Sequence, residues 1–221
     1  MAKSALLKSS IAKKVAMALS GLFLILFLAQ HFFINFTSVF GPDNFNTISN
    51  FMGYNPLVQY IIQPILIFGI IFHFVMGLYL DYQNKKARPI RYAKNNPGAN
   101  SPWTSRNMVL TGLVVLAFLG LHLYDFWITE INYKYVAVNP VVADRYYEEL
   151  IHKFVSPVRT GIYCVSFVLL GLHLWHGFGS SFQSVGFNNK YSGSIQKFAY
   201  AFSVIVPAGF IFIALFHHFN H

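Results

Sequence analysis

The chain has 221 residues, of which 55% are hydrophobic and only 10% are charged. Soluble domains carry about a quarter charged residues, so a soluble fold of this length would leave a large apolar surface in water. The formal net charge of +9 does not indicate a nucleic-acid-binding protein, because the basic residues form no single patch with interleaved aromatic residues. Cys164 is the single cysteine, so an internal disulfide is excluded.

Five apolar runs are long enough to cross about 30 Å of hydrocarbon, which takes about 20 helical residues. The predicted spans lie near Val15–Phe36, Leu57–Leu80, Met108–Thr129, Pro157–Phe178 and Phe198–Phe219. They predict an all-α integral membrane protein with five transmembrane helices, and residues 1–221 contain no stretch that indicates a separate soluble domain.

Prolines mark both the starts and the irregular points of the predicted spans. Asn55-Pro56 and Ser156-Pro157 are typical of a helix cap followed by proline in the first turn. Pro64 and Pro207 lie inside spans and predict kinks. The first span follows several lysines, as a signal peptide would. We interpret it as a retained helix, because it is too long for a signal peptide and no cleavage site follows it.

The basic residues predict the orientation of the chain in the membrane. Those in the N-terminal segment and in the second and fourth connections are Lys3, Lys8, Lys13, Lys14, Lys85, Lys86, Arg88, Arg91, Lys94, Arg106, Lys190 and Lys197. The first connection has no Lys or Arg, and the third has mixed charge. We therefore expect a multi-pass protein of the bacterial inner membrane, with the N-terminus in the cytoplasm and the C-terminus outside. Arg145–Lys153 predicts a short amphipathic helix on the outer surface.

Nine histidines occur in the sequence. Four of them are expected at or beyond the outer membrane surface: His152, His217, His218 and His221. The other five lie within predicted spans: His31, His73, His122, His173 and His176. An ionisable residue inside a bilayer is costly and is therefore a candidate functional residue.

Depth sorts four of these histidines into two pairs. His31 and His122 lie outward of the middle of their spans, by roughly 9 Å and 4 Å. His73 and His173 lie to the cytoplasmic side, by roughly 6 Å and 7 Å. Each pair takes one histidine from an outward-running helix and one from an inward-running helix.

Facing histidines at one depth are typical of a haem with two axial imidazole ligands. The sequence therefore predicts four helices forming a bundle around two stacked b haems, one ligated by His31 and His122 and the other by His73 and His173. His176, one turn from His173, is a competing ligand. Glycines one turn from these histidines would let a broad ring approach the helix, although ordinary helix packing also explains them. These glycines are Gly69, Gly77 and Gly177.

The pattern resembles the dihaem cytochrome b membrane anchor of succinate:quinone oxidoreductases, over essentially the whole chain. The most specific stretch runs from His173 to Gly186 and reads HLWHGFGSSFQSVG. By this resemblance His173 is the ligand and His176 is an extra histidine. The resemblance implies that the pair His31–His122 holds a distal haem near the outer surface, and that His73–His173 holds a proximal haem near the catalytic subunits.

The resemblance also implies the partners of the chain. Such anchors bind an iron–sulfur subunit, which carries a flavoprotein that interconverts succinate and fumarate, and they exchange electrons with a quinone, usually menaquinone. Membrane lipid surrounds the anchor, and no nucleic acid is involved. Some fumarate reductases of this group have a glutamate two residues before the fourth ligand. Gly171 occupies that position here, which favours succinate oxidation.

A quinone site is expected beside the distal haem. Asp125 lies one turn beyond His122 on nearly the same helix face, and a carboxylate there suits proton exchange with the quinone. Gln30 and Tyr124 are candidate hydrogen-bond partners of the quinone oxygens. The alternative is that Asp125 pairs with Arg159 or Lys153, or orders water near the haem propionates.

Two other functions fit the sequence less well. One is the dihaem cytochrome b anchor of a hydrogenase or a formate dehydrogenase, which also uses transmembrane histidines. The other is a haem-free transporter in which the histidines relay protons. A reduced-minus-oxidised absorbance spectrum distinguishes a haem protein from such a transporter.

Overall fold

The computed structural model describes residues 9–87 and 102–220. Several residues used for the orientation lie outside these ranges: Lys3, Lys8, Arg88, Arg91, Lys94 and, among the histidines, His221. The helices in chain order are α1 (Ser10–Phe40), α2 (Pro42–Tyr54), α3 (Val58–Lys86), α4 (Trp103–Arg106), α5 (Met108–Val136), α6 (Arg145–Phe154), α7 (Pro157–Ser184) and α8 (Ser192–Phe219).

The all-α prediction is confirmed, and residues 9–87 and 102–220 contain no strand. Five helices, α1, α3, α5, α7 and α8, are long and apolar enough to cross a membrane. Four of them cover their predicted spans completely, and α3 begins one residue later than predicted. All five extend several residues further at one end or both, because polar residues that flank an apolar run can continue a helix. The predicted helix at Arg145–Lys153 is present as α6.

The two predicted helix starts are also present. The Asn55 side chain accepts hydrogen bonds from the backbone N–H groups of Leu57 and Val58, at 2.9 and 3.3 Å. Ser156 accepts one from the backbone N–H of Arg159 at 3.4 Å. A π-helical turn, Val58–Ile62, precedes Pro64, which fits a proline that cannot donate to the regular helical pattern.

Much of the bundle surface is apolar. Leu26, Phe33 and Phe68 have exposed fractions of 73%, 69% and 67%. The buried positions concentrate instead in α7 and α8, which pack extensively on each other. A continuous apolar surface of this kind is unfavourable in water and suited to lipid.

One end of the bundle, which we call the α2/α6 end, is closed by polar contacts. Asn46 in α2 accepts a hydrogen bond from the backbone N–H of Tyr147 at 2.8 Å and donates one to the carbonyl oxygen of Asp144 at 3.1 Å. Helix α2 was not predicted from the sequence, although Pro42 and Asp43 in its first turn are favourable helix-start residues.

A charge cluster reinforces the same end. Glu130 forms ion pairs with Lys134 and Arg145, and Arg145 also binds Glu149 at 2.6 Å. Burial disfavours the charge of Arg145, but its hydrogen bonds to both glutamates outweigh this and raise its pKa above the ordinary value. Arg145 therefore stays charged and fixes α6 to the end of α5.

Candidate functional site

The structure brings the four predicted histidines together in two pairs. The ring centres of His31 and His122 are 5.6 Å apart, with the ring planes at 88° to each other. Those of His73 and His173 are 6.5 Å apart, with the planes at 71°. We call the first the distal pair and the second the proximal pair. Each pair joins two helices, α1 with α5 and α3 with α7.

Both pairs line one cavity inside the bundle. Its volume is about 390 Å³. It extends from Phe154 at the α2/α6 end to Lys14 and Ser184 at the opposite end, and its wall is mostly aliphatic and aromatic. An apolar cavity with a few convergent nitrogen donors is typical of a site for a large planar cofactor.

The geometry of both pairs fits a shared metal-centred ring. Two imidazoles on opposite sides of one metal ion, with bonds of about 2 Å, have ring centres roughly 6 Å apart. The measured separations of 5.6 and 6.5 Å lie on either side of that value. No group of three or more His, Cys, Asp or Glu side chains that could hold a metal ion occurs within the described ranges. Each pair by itself can provide two imidazole ligands.

His176 does not share this cavity. It lines a separate pocket with Trp175, Gln183 and Gln196, whereas His173 faces the cavity with the other three histidines. This placement favours His173 over His176 as the partner of His73.

The three predicted glycines lie next to side chains other than those of the histidines. A Cβ atom placed at Gly77 or Gly177 would meet the terminal methyl group of Met17 or Met108, and one at Gly69 would meet the ring of Phe23. Two different glycines adjoin the proximal pair. A Cβ at Gly21 would lie 3.3 Å from Cε1 of His73, and a Cβ at Gly112 would lie 3.4 Å from Cε1 of His173.

Two hydroxyl groups beside these glycines were also missed from the sequence. Ser20 Oγ lies 3.0 Å from Nδ1 of His73, and Thr111 Oγ1 lies 3.2 Å from Nδ1 of His173. The available signal was a hydroxyl residue followed by glycine, which occurs in both α1 and α5. It becomes meaningful only when the helix that faces each histidine is known.

Asp125 lies in a π-helical turn of α5, Leu123–Ile128, directly after His122. Its residue is 1% exposed. Its carboxylate accepts a hydrogen bond from the hydroxyl of Tyr163 at 2.9 Å, and it lies 3.5 Å from Nε of Arg159 and 4.0 Å from Nζ of Lys153. Both cations that were expected as alternative partners of Asp125 are therefore within ion-pair distance.

The other two predicted quinone contacts lie on the surface of this chain. Tyr124 is 62% exposed and Gln30 is also exposed, and neither lines the cavity. Their predicted role would require a quinone bound at the lipid-facing surface.

His217 differs from its expected place at or beyond the outer surface. It is fully buried inside the α2/α6 end. Its Nε2 lies 2.8 Å from the hydroxyl of Ser38, and its ring packs edge-on against Tyr147. The position suits a structural histidine that joins α8 to the end of α1.

A comparison with curated proteins gives an independent view of this arrangement. Over 159 residues the chain is 28% identical to the succinate dehydrogenase cytochrome b558 subunit of Bacillus subtilis (strain 168). The matched region covers 70% of this chain and 69% of that protein. The chain fits a cytochrome b membrane anchor. The resemblance inferred from the histidine pattern is confirmed by this relative and by the five apolar helices. No protein-family model and no solved structure matches the chain.

For a cytochrome b anchor, the geometry at Gly171 is informative. A Cβ atom there would lie 3.1 Å from the carbonyl oxygen of Ser203 and 3.5 Å from Cγ of Pro207. Helices α7 and α8 are therefore too close at this point for a larger side chain. Gly171 is therefore used for helix packing.

Proposed function

We propose that the chain is the membrane anchor and electron-transfer subunit of a succinate dehydrogenase, with two b haems between an iron–sulfur subunit and a quinone, usually menaquinone in this group. The observation that carries the proposal is the placement of two histidine pairs along one apolar cavity. The relative's name supports the identity of the complex. Succinate chemistry would then take place on the iron–sulfur and flavoprotein partners.

In this proposal His31 and His122 hold the distal haem, and His73 and His173 hold the proximal haem. When bound, each haem supplies a one-electron carrier. The chain's own residues would supply the ligand nitrogens and exclude water with apolar walls. Lys14, which also lines the cavity, would supply a positive charge that a carboxylate of the cofactor could pair with.

We propose that the quinone is reduced near the distal pair, with Asp125 as the group that exchanges a proton. Asp125 lies three residues after His122 in α5. Its carboxylate is buried and accepts a hydrogen bond from the hydroxyl of Tyr163. Arg159 and Lys153 would balance its charge. In the alternative, the same three groups form a structural ion-pair cluster without a role in proton exchange.

The proposed orientation puts the N-terminus and the second and fourth connections in the cytoplasm. The basic residues there, including Lys190 and Lys197, would face the iron–sulfur subunit. The α2/α6 end would then lie on the outer side.

A haem count on the purified complex tests the proposal. We expect a pyridine haemochrome assay to give two haems b per chain, and the complex to contain a flavoprotein with succinate dehydrogenase activity. One haem or none per chain would contradict the ligand assignment. Two haems with a hydrogenase or formate dehydrogenase partner would keep the assignment and change the complex.

A further inference from the structure

The two histidines of the proximal pair are held in the same way by neighbouring helices. Ser20 on α1 lies 3.0 Å from Nδ1 of His73, and Thr111 on α5 lies 3.2 Å from Nδ1 of His173. Each hydroxyl belongs to a hydroxyl–glycine seat, by which we mean the dipeptides Ser20-Gly21 and Thr111-Gly112. In each seat the glycine leaves room for the imidazole edge, which a Cβ atom would approach to 3.3 or 3.4 Å.

The hydroxyl proton of each seat is already used within its own helix. Ser20 Oγ donates to the carbonyl oxygen of Met17 at 2.8 Å, and Thr111 Oγ1 donates to that of Met108 at 3.0 Å. A hydroxyl group has one proton to donate and lone pairs that accept. While that proton is on the carbonyl oxygen, each hydroxyl can only accept from the histidine.

This arrangement favours one tautomer of each histidine. Nδ1 is then the donor in the contact with the hydroxyl, and a neutral imidazole carries one N–H. Nε2 is then left with a free lone pair, which is the form that binds a metal ion. Donation of the second ring N–H to a fixed acceptor is the usual way in which a protein orients a metal-binding histidine.

The structure assigns Ser20 and Thr111 as positioning residues that hold His73 and His173 in the Nδ1-protonated form, so that both present Nε2 to the cavity. This inference rests on the proposed haem function. It adds two residues that touch neither the iron nor the quinone and that act through the two ligands.

The distal pair is oriented by different means. The ring of His31 stacks on Phe27 at 5.4 Å, with 21° between the planes. His122 packs against Phe118 and Phe126 at 5.9 and 5.1 Å. Among the described residues, its buried Nδ1 has no hydrogen-bond partner. The distal site therefore serves as an internal control for changes made to the seats.

The test compares removal of each hydroxyl with its conservative replacement in the intact complex. Ser20→Ala and Thr111→Val remove the acceptor, and Thr111→Val keeps nearly the same shape. Ser20→Thr and Thr111→Ser keep the acceptor. For each variant, haem content is measured by pyridine haemochrome, and low-temperature EPR records the two low-spin ferric signals, with the proximal one identified by its loss in His73→Ala.

We expect Ser20→Ala and Thr111→Val to shift the proximal EPR signal and to weaken proximal haem retention by about 10- to 100-fold. The distal signal should not move, and Ser20→Thr and Thr111→Ser should retain the native proximal signal. An unshifted proximal signal with both haems retained in Thr111→Val and in Ser20→Ala would overturn the inference, as would equal shifts in the conservative variants. Absence of two haems from the unmodified complex would instead contradict the proposed function itself.

Discussion

His173 and His176 lie one helical turn apart in α7, yet they line different cavities. We predict that His173→Ala removes the proximal haem and leaves one haem per chain, because no other described histidine faces His73 across the cavity. His176→Ala is the matched control and should keep both haems. A pyridine haemochrome assay measures the result, and loss of a haem in the His176 variant would reverse the assignment of the two residues.

Asp125 offers a second prediction at the scale of a single residue. Asp125→Asn keeps the shape of the side chain and removes the charge that faces Arg159 and Lys153. If Asp125 exchanges a proton with the quinone, succinate oxidation with a quinone analogue should fall at least 10-fold. Oxidation with an artificial acceptor that bypasses the anchor should not change.

The control for this measurement is the haem content of the variant, which should remain at two per chain. Tyr163→Phe removes the hydrogen bond to Asp125 without removing its charge, and we expect a smaller loss of quinone turnover. Unchanged quinone turnover in Asp125→Asn would support the structural ion-pair alternative.

The pairing of the four histidines was predictable because the rise of a helix converts residue number into depth. The contacts of Ser20, Gly21, Thr111 and Gly112 were not predictable in this way. They depend on how each helix is rotated toward its neighbour, and apolar runs with little amphipathic character do not reveal that rotation.

At the scale of an element, α7 packs against the backbone of α8 at Gly171, where a Cβ atom would lie 3.1 Å from the carbonyl oxygen of Ser203. We predict that Gly171→Ala lowers the stability of the bundle by about 1–3 kcal/mol, because the added methyl group would press on the carbonyl oxygen of Ser203. Thermal unfolding of the purified protein in detergent, followed by circular dichroism, measures this as a lower melting temperature.

Gly161→Ala is the matched control in the same helix, since a Cβ atom at Gly161 would meet nothing within 4 Å. Its melting temperature should be unchanged or slightly higher, because alanine favours the helix over glycine. Equal destabilisation in both variants would mean that the helix itself, and not the α7–α8 contact, requires glycine.

The existence and order of the long helices followed from the apolar runs, and their ends did not. A run of hydrophobic residues shows which part of a helix lies in the hydrocarbon core of the bilayer. The ends of the helix depend on local capping instead. The same reason explains why α2 was not predicted. It is a polar helix whose place is fixed by the contacts of Asn46 with residues about 100 positions later in the chain.

At the scale of the whole molecule, the proposed orientation predicts where the iron–sulfur subunit binds. After Cys164 is replaced by serine, a photocrosslinker attached to a cysteine at Lys190 or Lys197 should capture that subunit, since both positions are exposed. The control position is Asn139, which is exposed near the α2/α6 end. Crosslinks that arise only from Asn139 would show that the orientation is inverted.

Helix α3 has few contacts with α5 and α7. It packs mainly on α1 and also touches α2, and a row of its apolar residues is exposed, including Phe68 at 67% and Ile71 at 56%. Toward α7, it presents His73, whose ring faces that of His173 across the cavity. A ring bound by both histidines would therefore join α3 to α7, two helices that otherwise touch little.

The few contacts of α3 with α5 and α7 bear on the half-life of the protein in the cell. In a haem-starved cell, α3 of a newly inserted chain would be held mainly by α1. An element with few contacts opens locally at a low free-energy cost and then becomes accessible to proteases. We expect a pulse–chase experiment under haem starvation to show a shortened half-life for the chain, and His73→Ala to show the same short half-life in haem-replete cells. The amount of anchor would then follow the supply of haem.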